Sequence, residues 1–185
     1  TGLDYQKIDS QAGLRRQKNE HSFFFPYLAG TEFPLWQNQA RGTFTGLDLD
    51  TDAIDLALIC MEGSAFHWRM AIDEYLACQI PIRQIRVTGG AANSPVWLSI
   101  LAALSPCEIV LMSVKDAPAV GAALIAGVGC GLFSDWQTPL EQGGLQTEIL
   151  QTTPEDQAFY EKKYQTFCRQ WQTIQKIYPD QAQTN

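Results

Sequence analysis

The order of strand-like and helical segments predicts an α/β fold for this sequence. Residues 82–88 and 108–112 are short runs rich in branched apolar side chains, which is typical of buried strands. Residues 52–76 carry apolar side chains at spacings of three and four, which is the period of a helix. A chain whose strands and helices alternate in this way belongs to the α/β class.

The composition limits the possible partners. The chain has 185 residues, about the length of one domain, and 45% of them are apolar. Its net charge of −7 comes without a basic run, so nucleic acid and anionic membranes are poor partners. No apolar stretch approaches the roughly 18 residues of a membrane span, and the N-terminus lacks the pattern of a signal peptide. Five widely separated cysteines without a CxxC pair favour reduced thiols and a cytoplasmic location.

The first part of the chain is expected to hold one helix and two short strands. A helix is expected within residues 3–18, a strand at 23–25 and a second strand at 43–47. Residues 26–42 between the strands are rich in proline and glycine and predict an irregular loop. This loop carries three aromatic residues that we expect to form a small packed cluster: Tyr27, Phe33 and Trp36.

The middle of the chain alternates helices and strands. Asp52 can cap the long helix, and Pro81 ends that region. After the strand at 82–88, Ser94 and Pro95 form a favourable helix start, with a serine at the N-cap and a proline at the first helical position.

The last part of the chain predicts two helices separated by a loop at 133–152. Residues 118–130 are small and apolar, which permits close packing of a helix on a sheet. The final helix starts after Thr153, and its polar face lies opposite an apolar stripe. We expect this stripe to pack on the helix's own domain: Tyr160, Tyr164, Phe167, Trp171, Ile174 and Tyr178.

The turn between the strand at 82–88 and the next helix is the best candidate for a ligand site. Gly89 and Gly90 let the backbone turn sharply and let a ligand approach without an intervening Cβ. In open α/β sheets, ligands bind outside the carboxyl ends of the strands. The turn is neither a Walker A loop nor a GxGxxG fingerprint, so an ordinary tight turn is the alternative on these grounds alone.

Other polar residues favour structural roles. Asp48, Asp50, Asp52 and Asp55 could together hold a hard cation, but a solvated turn leading into a helix is the favoured interpretation. Glu62 lies near the apolar side of its helix, where a hydrogen bond to neighbouring backbone is favoured over catalysis. The two histidines, His21 and His67, lack partners at the spacing of a catalytic or metal motif.

Five segments, in order and at matching spacing, are similar to the motifs of a known family: residues 25–36, 40–47, 61–66, 88–97 and 116–123. The corresponding family motifs are PYLxGxRxPxW, ARGxFxGL, LEGxAF, the glycine motif of an adenosine site, and ExxALGAA. The sequence therefore resembles the C-terminal domain of the FGGY carbohydrate kinases, in particular their xylulokinase-like members. The resemblance favours a ligand-binding role for the glycine turn.

The resemblance implies a ribonuclease H-like fold of the actin and hexokinase type, in a two-domain kinase with its active site in the cleft. Such kinases transfer the γ-phosphoryl group of ATP, with Mg²⁺, to a hydroxyl of a ketose or polyol such as xylulose or ribulose. Gly89, Gly90 and Ala91 would lie against the nucleotide through their backbone. Ser94 matches a position that often hydrogen-bonds the adenosine part, and Asn93 stands where many members have Arg or Lys.

The resemblance also implies that part of the machinery lies elsewhere. The family's catalytic Asp and sugar-binding residues belong to the N-terminal domain, and its phosphate-holding Gly-Thr turn opens the C-terminal domain. We therefore expect residues 1–185 to form the nucleotide-binding C-terminal domain, with no catalytic or metal-binding residue of its own and no activity alone.

Several positions depart from the family pattern. Thr31 and Glu32 replace the usual Glu-Arg pair, Ala103 stands where Asp is common, and Asp116 replaces Glu. Two alternatives to a kinase domain remain open: a non-catalytic nucleotide-binding relative, and a structural module that forms a homodimer through the helix at 154–178.

Overall fold

The computed structural model describes residues 5–15, 18–114, 116–135 and 147–178. These residues contain five α-helices: α1 (Tyr5–Ala12), α2 (Ala53–Ala77), α3 (Pro95–Leu104), α4 (Ala117–Gly129) and α5 (Pro154–Ile174). They also contain five strands: β1 (Phe23–Phe25), β2 (Thr43–Thr45), β3 (Gln84–Val87), β4 (Glu108–Met112) and β5 (Thr147–Ile149). Short 3₁₀ segments follow β3 at Gly90–Asn93 and α5 at Gln175–Ile177. The predicted α/β class is confirmed.

The described residues form two small sheets. Strands β1 and β2 form an antiparallel pair in which Phe24 faces Phe44. Strands β3 and β4 are parallel, with Ile85 opposite Ile109, and α3 connects them. Strand β5 pairs antiparallel with the other edge of β4.

Strand β5 corrects the sequence-based expectation of a loop over 133–152. Its three residues are all exposed, so they show no alternation of buried and exposed side chains. The strand exists because β4 offers it an edge for hydrogen bonding, which is a long-range partner that the local pattern does not reveal. Residues 136–146 of the expected loop lie outside the described part of the chain.

Helix α2 begins at a complete capping box. The Asp52 carboxylate accepts hydrogen bonds from the backbone N–H groups of Ile54 and Asp55, and the Asp55 carboxylate accepts one from Asp52 N–H. The predicted cap is therefore confirmed.

Asp55 corrects the expectation of a solvated acidic turn. Its side chain is fully buried and accepts hydrogen bonds from Lys18 Nζ at 2.7 Å and Asn19 Nδ2 at 3.0 Å. Arg15 adds a more distant contact at 3.4 Å. Burial alone would raise the pKa of Asp55, but the hydrogen bonds from Lys18 and Asn19 outweigh it and hold that pKa well below its usual range.

The main core lies where α5 crosses β1 and α2. Phe25 of β1 stacks on Phe167 at 4.6 Å between ring centroids, and Tyr27 meets Trp171 edge-on at 4.4 Å. The predicted stripe of α5 is confirmed as a core surface of its own chain, since five of its six members are buried: Tyr160, Tyr164, Phe167, Trp171 and Ile174.

A buried ion pair joins the same helices. Glu62 Oε2 of α2 accepts a hydrogen bond from Lys163 Nζ of α5 at 2.5 Å, and each side chain is only 1% exposed. Burial raises the pKa of Glu62 and lowers that of Lys163, and each charge partly opposes the shift of the other. The expectation that Glu62 is buried and paired is confirmed, but the partner is a side chain of α5 rather than neighbouring backbone.

Helix α4 differs from its sequence-based expectation. Among its described residues only Gly127 is buried, and it lies against the ring of Phe133. Ile125 is 63% exposed. The small residues would permit close packing on a sheet, but most of the side chains of α4 are exposed or half-buried in the described part of the chain.

No helix among the described residues is long and apolar enough to span a membrane. All five cysteines are free thiols.

Candidate functional site

The glycine turn links the end of β3 to the start of α3. Gly89 has φ +78° and ψ −153°, a backbone conformation that side chains with a Cβ rarely adopt. Gly90 then opens the 3₁₀ segment that leads to Ser94. A Cβ built on either glycine would have no atom of the described residues within 4 Å, so within the described part of the chain both face open space rather than a neighbouring element. Packing therefore does not explain the pair, and only Gly89 is required by backbone geometry.

A cavity of about 500 Å³ lies beside this turn. That volume falls within the range of small-molecule sites, roughly 300–1,000 Å³. The lining comes from the turn, from the carboxyl end of β4 with the residues that follow it, and from β5: Gly89, Ala92, Asn93, Leu111, Met112, Ser113, Val114, Thr147 and Glu148.

The position of the cavity follows from the parallel pairing of β3 and β4. Their carboxyl ends meet at one edge of the sheet, so the segments that leave both strands converge there. A hydrogen bond of 2.9 Å from Thr88 Oγ1 to the backbone oxygen of Val114 joins the segment that follows β3 to the segment that follows β4. The cavity is thus held between two chain segments that the sheet itself brings together.

The lining combines apolar and hydrogen-bonding groups. Leu111, Met112 and Val114 offer apolar surface, which suits a planar ring. The amide of Asn93 can both donate and accept hydrogen bonds, and the hydroxyl of Ser113 can do the same. Glu148 adds a carboxylate, which accepts hydrogen bonds, so an uncharged heterocycle with hydrogen-bond donors on its edge fits the lining.

Ser94 is engaged in two structural hydrogen bonds. Its Oγ accepts from Trp97 N–H at 3.1 Å, which confirms the predicted N-cap, and donates to Asp9 Oδ1 at 2.5 Å. The single hydroxyl proton therefore points to Asp9 of α1.

The five predicted binding residues occupy different places around the cavity. Gly89 and Asn93 line it. Gly90 and Ala91 lie in the adjoining 3₁₀ segment, and Ser94 caps α3. Their contacts with a nucleotide stay predictions.

Sequence reasoning missed the contribution of β4 and β5 to the lining. The residues concerned are Leu111 through Val114 and the pair Thr147 and Glu148. One signal could have indicated the first group, because the carboxyl end of 108–112 must adjoin that of 82–88 in a parallel sheet. No local pattern pointed to β5.

The aromatic residues of the 26–42 loop do not form the expected cluster. Tyr27 is buried against Trp171, whereas Phe33 is 41% exposed and lies 5.4 Å from the ring of Tyr75. Trp36 is 62% exposed. The cluster is replaced by one core residue and two surface residues, because Tyr27 is drawn into the core formed by α5.

The remaining candidate residues, which are metal-ligating side chains and histidines, do not form a second site among the described residues. The described residues contain no group of three or more His, Cys, Asp or Glu side chains that could hold a metal ion. His67 is packed against Tyr27 with ring centroids 5.3 Å apart, and burial lowers the pKa of His67.

Comparisons with known proteins identify the family to which this chain belongs. The pattern that defines the C-terminal domain of the FGGY family of carbohydrate kinases matches residues 5–130. The match covers more than half of the chain, so the chain belongs to this family.

Individual relatives carry several substrate names. A xylulose kinase of Staphylococcus epidermidis is 28% identical over 163 residues, which cover 88% of this chain and 33% of the relative. A glycerol kinase of Methylibium petroleiphilum is 29% identical over 138 residues, which cover 72% of this chain and 28% of the relative. The chain thus spans about a third of the length of these curated relatives.

The fold has solved counterparts. A crystal structure of xylulose kinase from Rhodospirillum rubrum superposes with a TM-score of 0.76 at 24% identity, covering 94% of this chain and 34% of that one. The agreement confirms the expected actin- and hexokinase-type fold.

Proposed function

We propose that this chain is the nucleotide-binding domain of a carbohydrate kinase and that the cavity beside Gly89 receives the adenosine end of ATP. The single observation that carries the proposal is the open space at Gly89 and Gly90, next to a cavity of about 500 Å³. Because no atom of the described residues lies within 4 Å of either missing Cβ, the space is available to a ligand that approaches the backbone closely.

Each part of the lining has a role in this proposal. The backbone of Gly89 and Gly90 lets the ligand lie against the turn, and the Asn93 amide hydrogen-bonds a polar edge of the adenosine. Leu111 and Met112 supply apolar surface for the ring. These residues bind and orient the nucleotide rather than react with it.

The proposed reaction is transfer of the γ-phosphoryl group of ATP to a hydroxyl of a ketose or polyol similar to xylulose or ribulose. ATP supplies the phosphoryl group, and Mg²⁺ accompanies its phosphates. Relatives are named xylulose, ribulo-, glycerol and glucono-kinases, so the substrate is proposed only at the level of sugars and polyols. Residues outside this chain would bind most of the sugar and supply the catalytic base, so the chain alone is expected to show no phosphorylation.

The test compares two identical substitutions at glycines in open space. Gly90→Val places a branched side chain at the turn, whereas Gly129→Val places one at the end of α4, away from the cavity lining. Neither glycine has a positive φ, so neither substitution strains the backbone on that account. We expect Gly90→Val to weaken ATP binding at least about tenfold, a free-energy change of about 1.4 kcal/mol, and Gly129→Val to leave it unchanged.

Binding would be measured by calorimetry, with the thermal midpoint of each variant recorded in parallel. Equal affinity in all three proteins, or a Gly90→Val midpoint that collapses while affinity persists, would make the glycine structural and overturn the proposal. Turnover of the longer polypeptide that contains this chain would separate a kinase from a non-catalytic nucleotide-binding relative.

A further inference from the structure

A carboxylate of α1 is attached directly to the residue that ends the glycine turn. Asp9 Oδ1 lies 2.5 Å from Ser94 Oγ, although the two residues are 85 positions apart. The same Ser94 oxygen accepts the hydrogen bond from Trp97 N–H that caps α3. Asp9 therefore fixes the orientation of the hydroxyl, and it ties α1 to the junction between the turn and the helix.

The carboxylate also lies at the N-terminal end of α3. Backbone N–H groups at the start of a helix lack partners and carry a partial positive charge, which favours an anion there. At this helix the anion is already supplied by the protein itself.

The arrangement differs from a phosphate-binding helix terminus. In such sites the backbone N–H groups and the helix dipole face a bound anion. Here the negative charge of Asp9 would repel a phosphate that approaches the start of α3. It would not repel an uncharged ring or ribose. A carboxylate at this position therefore disfavours a phosphate at the start of α3 more than it disfavours an uncharged nucleoside.

We propose that Asp9 is a positioning and specificity-determining residue of the candidate site. It holds Ser94 so that the turn keeps its shape, and its charge directs the nucleoside end of the ligand, rather than the phosphates, to the turn. The inference rests on the proposed function and adds a residue of α1 that contributes nothing to the lining of the cavity.

The experiment separates the hydrogen bond of Asp9 from its charge. Asp9→Asn removes the charge but keeps an oxygen that can accept the Ser94 hydroxyl, whereas Asp9→Ala removes both. Glu74→Gln is the matched control, because it removes one carboxylate charge from an exposed position of α2. Adenosine and Mg²⁺-free ATP would each be titrated into every variant at low ionic strength, with the thermal midpoint recorded.

The expected result is a divergence between the two ligands. Asp9→Asn should leave adenosine affinity within about twofold and raise ATP affinity about threefold relative to the unsubstituted chain, a gain that about 0.5 M salt abolishes. Asp9→Ala should lower adenosine affinity about fivefold. The double variant Asp9→Ala with Ser94→Ala should bind adenosine as tightly as Ser94→Ala alone. Glu74→Gln should change neither affinity.

Two outcomes would overturn the inference. An ATP-to-adenosine affinity ratio that is the same in Asp9→Asn and Glu74→Gln contradicts the selection by charge. Unchanged adenosine affinity in Asp9→Ala contradicts the positioning role. A purely structural role would instead lower both affinities in proportion with the thermal midpoint, which also contradicts the proposal. If the unsubstituted chain binds neither ligand, the proposed function fails, which is a result distinct from all of these.

Discussion

Helices α5 and α4 bury their apolar residues to very different extents. Helix α5 presents one stripe of large aromatic side chains, and that stripe is buried against β1 and α2. Helix α4 is built from small apolar residues, yet most of its described surface is exposed. The difference shows that an aromatic stripe opposite a polar face specifies where a helix packs, whereas a uniformly apolar helix does not. The aromatic side chains of α5 lie in the buried core, whereas the candidate site lies where more of the described residues are exposed.

The largest expected effect is in the α5 core. Trp171→Ala should lower the free energy of unfolding by about 3–5 kcal/mol, because it removes a ring that packs on Phe25 and Tyr27. Gln172→Ala, on the exposed face one residue away, should change it by less than about 0.5 kcal/mol. Urea unfolding at two protein concentrations measures both. A midpoint that rises with concentration, together with a variant that converts a dimer into a stable monomer, would make the stripe an interface between copies.

Neighbouring lysines of α5 provide the second contrast. Lys163→Met leaves Glu62 buried without its partner and should cost about 3 kcal/mol. Lys162→Met breaks an ion pair with Glu20 whose lysine side chain is 75% exposed, and it should cost much less than Lys163→Met. Chemical denaturation at neutral pH compares them. Similar losses for the two variants would contradict the buried character of the Glu62–Lys163 pair.

The third prediction concerns the pH dependence of the α2 cap. The pKa of Asp55 is lowered in the folded protein, so the stability it contributes is present above the unfolded pKa of about 3.9 and is lost as the pH falls through the lower folded value. Asp55→Asn should therefore cost about 1–2 kcal/mol near neutral pH, and this difference should narrow between about pH 5 and pH 2. Asp50→Asn, at an exposed position of the same turn, serves as control. A difference between Asp55→Asn and the unsubstituted chain that stays constant with pH would contradict the lowered pKa.

The smallest effect is expected in α4. Ile125→Gln should change the free energy of unfolding by less than about 0.5 kcal/mol, because the side chain is 63% exposed. Thermal or urea unfolding beside Trp171→Ala measures the contrast directly. A loss comparable with that of Trp171→Ala would show that α4 is packed as tightly as α5 and would remove the distinction between the two regions.

Local sequence patterns predict the helices and strands of this fold better than they predict which distant side chains contact each other. Asp52 and Ser94 were identified as caps because a cap acts on backbone two or three residues away. The partners of buried charges lie much farther along the chain, since Lys163 is 101 positions from Glu62. Periodicity carries no information about such pairs.

The candidate site also has a part that local sequence predicts and a part that depends on distant residues. The glycine turn was predicted from local sequence and from resemblance, and the structure places a cavity beside it. The wall contributed by Thr147 and Glu148 could not be predicted, because β5 depends on the edge of β4 rather than on its own pattern. The bond from Ser94 to Asp9 was hidden for the same reason, since it joins two helices that are distant in sequence.

The most direct test of the proposed adenosine site is a residue-resolved titration of this chain with ATP, followed by the backbone amide signals in solution NMR. We expect saturable shifts concentrated at the amides of Gly89–Asn93 and of residues 111–114, with the amide signals of α5 unchanged. Shifts confined to other surfaces, or none at millimolar ATP, would contradict the claim that the cavity beside Gly89 binds the nucleotide.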